Sequence, residues 1–426
     1  MSNQLDPKRE LWNPTGQGMD PEALVKHQRA ALEREWKRIW EQPIPFYKNK
    51  FEAAGLSAKE MPPLDEIPRT IKDELRADDA ANPPWGTWRA MSVEESTCIG
   101  ASTGTTGKPM MYLRNEADFV QYKEAAVRNL WREGMRAGAR QTNSWPGFIY
   151  SAMGGTDPGL RQLPAMGIPV GPPMNVDMAK EHINTWLMLK PTNYMMSGSQ
   201  LQIYAQAAEE LGVDLRALFN GAGVAFMEAA CQFEGPRKNL EDRFNIRIFN
   251  ISGASEIAAA QLKDCRFHTG YHTNADMVVV QVCDPVTGKE VPEGGRGHLV
   301  YSSFSGGSFW LRYDVEDWAE RMPGMTCPCG ETGLRYTLLG RGGDLQVFNG
   351  RQIFPLDVQL ALDPFGAPEF VIEKGKTADK LSVKVETADD GSKLAAALQS
   401  ALGVPVEVTP IPVGSLPRAF FKQKRA

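Results

Sequence analysis

The stretch that decides the fold is residues 100–109, which read Gly-Ala-Ser-Thr-Gly-Thr-Thr-Gly-Lys-Pro. Five of these ten residues are Ser, Thr or Lys and three are Gly, so hydroxyls, backbone N–H groups and one cation can meet an anion without obstruction by bulky side chains. The pattern favours phosphate binding, although a Gly- and Thr-rich run is also typical of an ordinary turn. It is not a Walker A loop, because Lys108 is followed by Pro109 where that motif has Ser or Thr.

The composition around this loop is that of a globular protein with more than one domain. A chain of 426 residues exceeds the size at which single cores stop growing. The 47 basic and 52 acidic residues give a net charge of −5, which disfavours a general nucleic-acid binder. The polar amino terminus leads into no apolar run, so neither a signal peptide nor a membrane span is expected. Six cysteines are too few for a disulfide scaffold, and a cytoplasmic location is expected.

Four further stretches carry recognisable patterns downstream of the loop. They are residues 250–256 (Asn-Ile-Ser-Gly-Ala-Ser-Glu), 311–317 (Leu-Arg-Tyr-Asp-Val-Glu-Asp), 340–350, which begin Gly-Arg-Gly-Gly-Asp, and 416–425, which begin Leu-Pro-Arg. Each alone would be an ordinary turn or a solvated charge cluster. Together with the loop, and in this order, they resemble the motifs of the adenylate-forming enzymes, the superfamily of acyl-CoA synthetases, luciferases and adenylation domains. The branch they resemble is that of the phenylacetate-CoA ligases.

The hydrophobic pattern and this resemblance predict the same fold class. Short apolar runs alternate with helical stretches, including helices near 21–42, 116–133, 178–189 and 199–212, which indicates an α/β fold. From about residue 277 the pattern is dominated by strands. The resemblance implies a large N-terminal adenylate-forming domain, 1–340, of mostly parallel sheets with helices plus a β-rich subdomain. A small mobile α+β lid, 341–426, follows the glycine-rich break.

The resemblance also implies roles for individual residues. Glu256 would bind Mg²⁺, and Thr105, Lys108 and Lys422 would be catalytic, with Lys422 stabilising charge in the adenylation transition state and Lys424 as its alternative. The residues implied to bind the nucleotide are Ser102, Thr103, Gly104, Thr106, Gly107, Gly221, Ala222, Asn250, Ser255, Asp317, Arg341 and Asp344. Within that set, Asp317 is placed on the ribose hydroxyls, Arg341 near the nucleotide and Asp344 at the hinge.

Three departures from the family pattern concern the nucleotide site. Ser252 stands where the family has an aromatic residue that stacks on adenine. Residues 221–224 (Gly-Ala-Gly-Val) lack the Glu and Pro of the family's adenine-lining segment, and Phe420 and Phe421 replace a polar-Gly pair before the lysine. Nucleotide handling is therefore expected to be atypical. Residues 64–76, upstream of the loop, resemble the same branch and are expected to be scaffold.

Cys265, His272, Cys327 and Cys329 form a candidate tetrahedral Cys₃His site. The Cys-Pro-Cys-Gly sequence supplies two thiolates from one tight turn, but Cys-x-Cys is less diagnostic than Cys-x-x-Cys. Unrelated cytosolic thiols are the alternative explanation. The resemblance favours structural Zn²⁺, because some phenylacetate-CoA ligase relatives carry zinc at matching positions. His268 is the alternative fourth ligand.

The resemblance places an acyl pocket around Trp145, with Phe148, Tyr150, Gly154 and Gly155 as its other candidate residues. Core packing is the alternative role for each of them. The expected function is an ATP-dependent acid:CoA ligase that activates an aryl or arylacetic acid through an acyl-AMP. An adenylate-forming amide synthetase with an amine acceptor, or a non-catalytic nucleotide-binding protein, stays open. The implied cofactors are ATP, CoA, Mg²⁺ and structural Zn²⁺. The expected partners are a small carboxylic acid and CoA, without nucleic acid or membrane, and a homodimer is left open.

Overall fold

The structure is a computed structural model that describes residues 6, 8–102, 109–145, 157–304, 306–307, 309–348, 350–373, 380–417 and 425. It contains two compact units. The first consists of Met1–Gly171, Thr192–Tyr194 and Phe249–Leu338, and the second of Pro172–Pro191, Met195–Ile248 and Leu339–Ala426. The proposed division into 1–340 and 341–426 stays a prediction.

Helices and strands alternate along the chain, and the fold is mixed α/β. The helices are α1 (Pro14–Gln17), α2 (Pro21–Glu41), α3 (Pro45–Ala53), α4 (Lys72–Ala81), α5 (Glu116–Arg132), α6 (Asp157–Gln162), α7 (Val176–Leu189), α8 (Gly198–Leu211), α9 (Leu215–Phe219), α10 (Glu234–Phe244), α11 (Pro355–Leu362) and α12 (Ser392–Leu402). The strands are β1 (Thr70–Ile71), β2 (Cys98–Ala101), β3 (Met111–Arg114), β4 (Arg140–Asn143), β5 (Met166–Pro169), β6 (Asn193–Ser197), β7 (Ala222–Met227), β8 (Ile246–Gly253), β9 (Gln261–Lys263), β10 (Tyr271–His272), β11 (Val278–Cys283), β12 (Arg296–Ser303), β13 (Tyr313–Arg321), β14 (Arg335–Arg341), β15 (Gln346–Phe348), β16 (Arg351–Ile353), β17 (Phe370–Ile372), β18 (Leu381–Glu386) and β19 (Val406–Ile411).

The long helices begin where the sequence supplies capping residues. The Asp20 side chain accepts hydrogen bonds from two backbone N–H groups of the first turn of α2, and Pro21 occupies the first helical position. Asn115 caps α5 in the same way, with Asp118 completing a capping box. The predicted helices near 21–42, 116–133, 178–189 and 199–212 correspond to α2, α5, α7 and α8 within two residues at each end.

In the first unit, the β-rich part is antiparallel and is joined by one short parallel strand. Strands β11, β12 and β13 pair antiparallel in chain order, and β1 adds in parallel to β13. Strand β10 pairs antiparallel with both β14 and β9, and β9 pairs antiparallel with β8. Strands β4 and β5 are parallel, whereas β2 and β3 form the hairpin that flanks the phosphate-loop sequence. A continuous apolar core, which includes Trp36, Trp88, Trp310 and Tyr313, supports this part.

The second unit contains a small sheet with helices against it. Strand β17 pairs antiparallel with β18, and β18 pairs in parallel with β19. Side chains from α11 and α12, among them Val358 and Leu398, pack with Val383 and Val385 of the sheet into a common apolar core. Strands β15 and β16 form a separate antiparallel hairpin. In the part of the chain that the structure describes, no helix is long and apolar enough to cross a bilayer.

Candidate active site and metal centre

The carboxylate of Glu256 is buried in the first unit and is surrounded by hydrogen-bond donors. Only 4% of the residue is exposed. Its Oε1 atom lies 2.8 Å from the Lys72 ammonium and accepts a hydrogen bond from the Tyr313 hydroxyl at 3.3 Å. Its Oε2 atom accepts from the Ser255 hydroxyl at 3.3 Å. One buried anion therefore lies at the end of the motif that contains Asn250 and Ser255.

These contacts keep Glu256 ionised. Burial raises the pKa of the Glu256 carboxyl, but the charge and hydrogen bond of Lys72 and the hydroxyl of Tyr313 outweigh it, so that this pKa lies below its ordinary value. A buried, ionised carboxylate is the kind of ligand that Mg²⁺ takes in proteins. The environment of Glu256 is thus compatible with the role that the resemblance implies.

Lys72 reaches Glu256 because its segment is attached to the motif strand β13. Strand β1 pairs in parallel with β13, with Thr70 opposite Tyr313 and Ile71 opposite Asp314. Helix α4 begins at the next residue, Lys72, and its first turn is closed by Glu74, whose carboxylate accepts from the Ile71 N–H at 2.9 Å. The turn from strand to helix therefore places the Lys72 side chain beside Glu256.

Ser252 has an aromatic neighbour that the sequence analysis did not anticipate. The hydroxyl of Tyr336, on β14, donates a hydrogen bond to Ser252 Oγ at 2.9 Å. Tyr336 is fully buried, and its ring centroid lies 5.3 Å from that of Tyr271. Burial raises the pKa of the Tyr301 hydroxyl well above its ordinary value. The interaction with the Tyr336 hydroxyl and the charge of Asp317 raise this pKa further. Ser252 thus contacts the hydroxyl of a buried aromatic residue, Tyr336, although position 252 itself lacks the aromatic residue of the family pattern.

The ends of the phosphate-loop sequence are fixed by the β2–β3 hairpin. The Ser102 hydroxyl accepts from the Met110 N–H at 2.9 Å, and the Ser102 N–H donates to the Met110 carbonyl at 2.9 Å. Thr103, Gly104, Thr105, Thr106, Gly107 and Lys108 lie outside the described residues. Of the acyl-pocket candidates, Trp145 is described and its N–H donates to Asn143 Oδ1 at 2.8 Å. Phe148, Tyr150, Gly154, Gly155, Lys422 and Lys424 also lie outside the described residues.

Four of the expected nucleotide-site residues lie in the second unit. Gly221 adopts a positive φ of 76° and donates its N–H to the Asn245 carbonyl at 2.7 Å, and Ala222 starts the buried strand β7. Arg341 ends β14, and Asp344 closes a short 3-10 turn. Just before them, Gly340 has φ of 151° and a Cβ there would lie 3.0 Å from the Phe354 ring, so this position requires glycine.

The four candidate metal ligands meet in the first unit. The ligand atoms of Cys265, His272, Cys327 and Cys329 all lie within 4.8 Å of one another, and all four residues are buried. The Cys265 and Cys327 sulfurs are 3.7 Å apart, and the Cys329 sulfur is 3.7 Å from His272 Nε2. Sulfur atoms at the corners of a tetrahedron with metal–sulfur bonds of about 2.3 Å would be about 3.8 Å apart. The cluster could therefore hold a tetrahedral metal ion.

A second layer of polar residues surrounds this cluster. Nδ1 of His272 lies 3.5 Å from a carboxylate oxygen of Glu331, which accepts from Arg132 Nε at 2.9 Å and from Gln17 at 3.2 Å. The alternative ligand, His268, is turned elsewhere: its Nδ1 lies 2.8 Å from Asp264. The structure thus brings His272, and not His268, together with the three cysteines.

Comparison with known proteins agrees with the motif assignment. No protein-family model matches the chain. It is 26% identical to a phenylacetate-coenzyme A ligase of Thermus thermophilus, over 96% of this chain and 97% of the relative. It is also 26% identical to a phenylacetate-coenzyme A ligase of Pseudomonas putida, over 84% of this chain and 80% of the relative. The chain is phenylacetate-CoA ligase-like over nearly its whole length. These curated relatives support an AMP-forming CoA ligase, as the motifs predict.

Solved structures confirm the fold of this phenylacetate-CoA ligase-like chain. A 2-hydroxyisobutyryl-CoA ligase in complex with R3-HIB-AMP matches 98% of this chain and 92% of its own, with a TM-score of 0.87 and 22% identity. The ligase of the same name in complex with 2-HIB-AMP and CoA covers the same shares, with a TM-score of 0.72 and 23% identity. Both structures therefore share the α/β fold that the sequence predicts.

Two residues that contact the candidate site were missed by sequence reasoning. Lys72 belongs to a segment that we expected to be scaffold, and Tyr336 lies in no motif that we singled out. The position of Lys72 two residues before the capping Glu74 was visible in the sequence, but the partner of Lys72, Glu256, lies far away along the chain. The pairing of β1 with β13 helps to bring Lys72 and Glu256 together.

Proposed function

We propose that this chain is an ATP-dependent acid:CoA ligase that activates an aryl or arylacetic acid through an acyl-AMP and releases AMP and pyrophosphate. The observation that carries the proposal is the buried, ionised Glu256 at the end of the 250–256 motif, in a chain that matches a curated phenylacetate-coenzyme A ligase over 96% of its length. In the first half-reaction, the substrate carboxylate attacks the α-phosphorus of ATP and pyrophosphate leaves. In the second, the CoA thiol attacks the acyl carbon, loses its proton and displaces AMP.

The proposal gives the polar residues of the chain distinct tasks. Glu256 would hold Mg²⁺, which supplies charge neutralisation at the phosphates when it is bound. Asp317 would bind the ribose hydroxyls, and Arg341 would lie near the nucleotide. Thr105, Lys108 and Lys422 would stabilise the charge that develops on the transferred group. Asp344 would serve as the hinge for a lid that withdraws Lys422 before the thiol arrives.

The same proposal includes structural zinc in the Cys₃His cluster. Thiolate and imidazole are donors that zinc prefers, and four protein ligands leave no open position for catalysis. We expect about one zinc per chain in metal analysis and a lower Tm after removal by a strong chelator. Cys329→Ser should lose the zinc, whereas Cys98→Ser, a half-buried cysteine outside the cluster, should retain it.

The proposal also includes the class of acid substrate, the cellular location and the oligomeric state. Trp145 and its aromatic neighbours in the sequence favour an aryl acid, as does the name of the curated relatives. None of the six cysteines forms a disulfide in the structure, in keeping with the reducing cytoplasm that we propose as the location. A homodimer stays a prediction that the molar mass in solution would test.

The experiment that tests the proposal is acid-dependent pyrophosphate release over a panel of acids, each with and without CoA. The panel contains benzoates, phenylacetates, fatty acids and 2-hydroxyisobutyrate, because the last names a ligase of the same fold. We expect release with one aryl class and a CoA-dependent thioester together with AMP. Glu256→Gln should abolish release, whereas Glu320→Gln, which alters an exposed ion pair with Arg296, should not.

Three results would redirect the proposal. Pyrophosphate release without a thioester, restored by an amine, would indicate an amide synthetase. Release only with a non-aryl acid would replace the acid class and retain the ligase. No release with any acid, together with measurable ATP binding, would indicate a nucleotide-binding protein without turnover.

A further inference from the structure

The ammonium of Lys72 is the closest charged partner that the described structure gives Glu256. The two groups are 2.8 Å apart, and the side chains differ in exposure, with 21% for Lys72 and 4% for Glu256. Lys72 is thus the more accessible member of this ion pair. Because the ammonium neutralises the carboxylate, a ligand that binds to Glu256 must interact with both charges.

The position of Lys72 is determined by the fold. The residues just before it are held on β13 by the β1 pairing and by two arginines. Arg69 binds the buried Asp314 carboxylate at 2.6 Å, and Arg312 donates to the carbonyls of Leu64 and Ile67 at 2.7 and 3.0 Å. The backbone that carries Lys72 is therefore attached to the motif strand, whereas its four-carbon side chain can still change direction.

The Lys72 ammonium interacts with opposite sign with a bare metal ion and with a metal–nucleotide complex. A bare divalent cation at Glu256 would be repelled by an ammonium a few ångströms away. A complex of the same cation with a triphosphate carries net negative charge, so the ammonium would attract it. The Lys72 side chain would then leave Glu256 for the phosphate oxygens, while Glu256 takes the metal.

We propose that Lys72 contacts the polyphosphate of the bound nucleotide and makes Glu256 selective for a metal–nucleotide complex over the bare divalent cation. This inference rests on the proposed metal-binding role of Glu256. It assigns chemistry to a segment that the sequence analysis expected to be scaffold. It also makes two predictions of opposite sign for one substitution: Lys72→Met should improve the binding of bare metal and weaken the binding of ATP.

The test uses Mn²⁺ as the probe, with free Mn²⁺ measured by electron paramagnetic resonance in the absence of nucleotide. Wild type should show no Mn²⁺ site that Glu256→Gln removes. Lys72→Met should gain one such site, and the double variant with Glu256→Gln should lack it. In parallel, the Kd of ATP with Mg²⁺, measured by calorimetry without acid, should rise about tenfold or more in Lys72→Met, because a charge-assisted contact is lost.

Lys50→Met is the matched control. Lys50, on α3, is a lysine of similar exposure, 14%. It binds Glu74 at 2.6 Å, and Glu74 lies in α4, the helix that begins at Lys72. Its loss would loosen the start of α4 but leave the charge at Glu256 unchanged, so it should alter neither Mn²⁺ nor ATP binding. Lys72→Arg retains the cation and should still show no bare-Mn²⁺ site. Thermal unfolding of each variant checks that it is folded, and Lys72→Gln provides a second neutral variant.

The outcomes separate this inference from the proposed function. If Glu256→Gln weakens MgATP binding but Lys72→Met changes neither measurement, the role of Lys72 is wrong and the proposed function stands. The same holds if Lys72→Met and Lys50→Met weaken ATP binding equally and no Mn²⁺ site appears, since both would then act through helix α4. If wild type binds no ATP and Glu256→Gln changes nothing, both proposals fail.

Discussion

Nδ1 of His272 lies 3.5 Å from a carboxylate oxygen of Glu331, while Nε2 of the same ring lies 3.7 Å from the Cys329 sulfur. The two ring nitrogens therefore face different partners, and Nε2 is the one directed at the cysteines. A carboxylate on the far nitrogen fixes the orientation and tautomer of a ligating imidazole. Arg132 and Gln17 donate hydrogen bonds to Glu331, so this carboxylate is positioned to orient the ring.

Glu331→Gln is expected to weaken metal binding without removing a ligand. Loss of a carboxylate behind a ligating histidine costs about 10- to 100-fold in metal affinity. Competition with a chromophoric chelator would measure this loss, and substitution with Co²⁺ would show whether the absorption bands of the tetrahedral site persist. Glu320→Gln removes a carboxylate from an exposed ion pair and should leave the affinity unchanged. Equal affinities for Glu331→Gln and wild type would contradict this role of Glu331.

The hydrogen bond between Tyr336 and Ser252 predicts that an aromatic side chain at position 252, which the family pattern has, would not fit in this protein. Because Tyr336 is fully buried beside Ser252, Ser252→Tyr should overpack the site and destabilise the protein by about 1–3 kcal/mol. The double variant with Tyr336→Ser should recover part of that loss, since it exchanges the two side chains. Urea denaturation of the single and double variants gives the coupling energy. Additive effects would mean that the two positions do not share space.

Residues elsewhere in the chain show how far the sequence could predict this structure. The pattern of helix-forming residues predicted α2 and α5, and in the structure Asp20 and Asn115 cap these helices. The cysteine cluster was also predictable, because thiols and imidazole are rare and chemically distinctive. Lys72 was not, because its contact with Glu256 depends on a two-residue strand pairing in parallel with β13. Such a register leaves no periodic pattern in the sequence.

His182 predicts a pH dependence of stability in the second unit. Burial lowers the pKa of His182 below its ordinary value, and its Nδ1 lies 2.9 Å from the Tyr204 hydroxyl. Below about pH 6.5 the unfolded chain therefore binds a proton that the folded chain does not, so the free energy of unfolding falls as the pH falls towards the folded pKa. His182→Gln should remove this part of the slope between pH 7 and 5 in urea denaturation. Tyr204→Phe should retain it, because burial, the main cause, remains. A slope equal to wild type in His182→Gln would contradict the assignment.

The ion pair between Lys263 and Glu133 makes the sharpest prediction about stability. Nζ of Lys263 lies 2.5 Å from one oxygen of Glu133, whose other oxygen accepts from Asn193 at 3.1 Å. Both charged side chains are at most 2% exposed, so removing one charge leaves the other buried without its counter-ion. Lys263→Met should therefore destabilise the protein by about 3–5 kcal/mol.

The double variant Lys263→Met with Glu133→Leu distinguishes two causes of this loss of stability: a buried carboxylate without its counter-ion, or the loss of an ion pair that itself stabilises the fold. If the cost of Lys263→Met comes from the stranded carboxylate, replacing Glu133 as well should return most of the lost free energy of unfolding, because no buried charge remains. Urea denaturation of the two single variants and the double variant measures this directly. A double variant as unstable as the sum of the singles would show instead that the pair itself, through its geometry with Asn193, stabilises the fold.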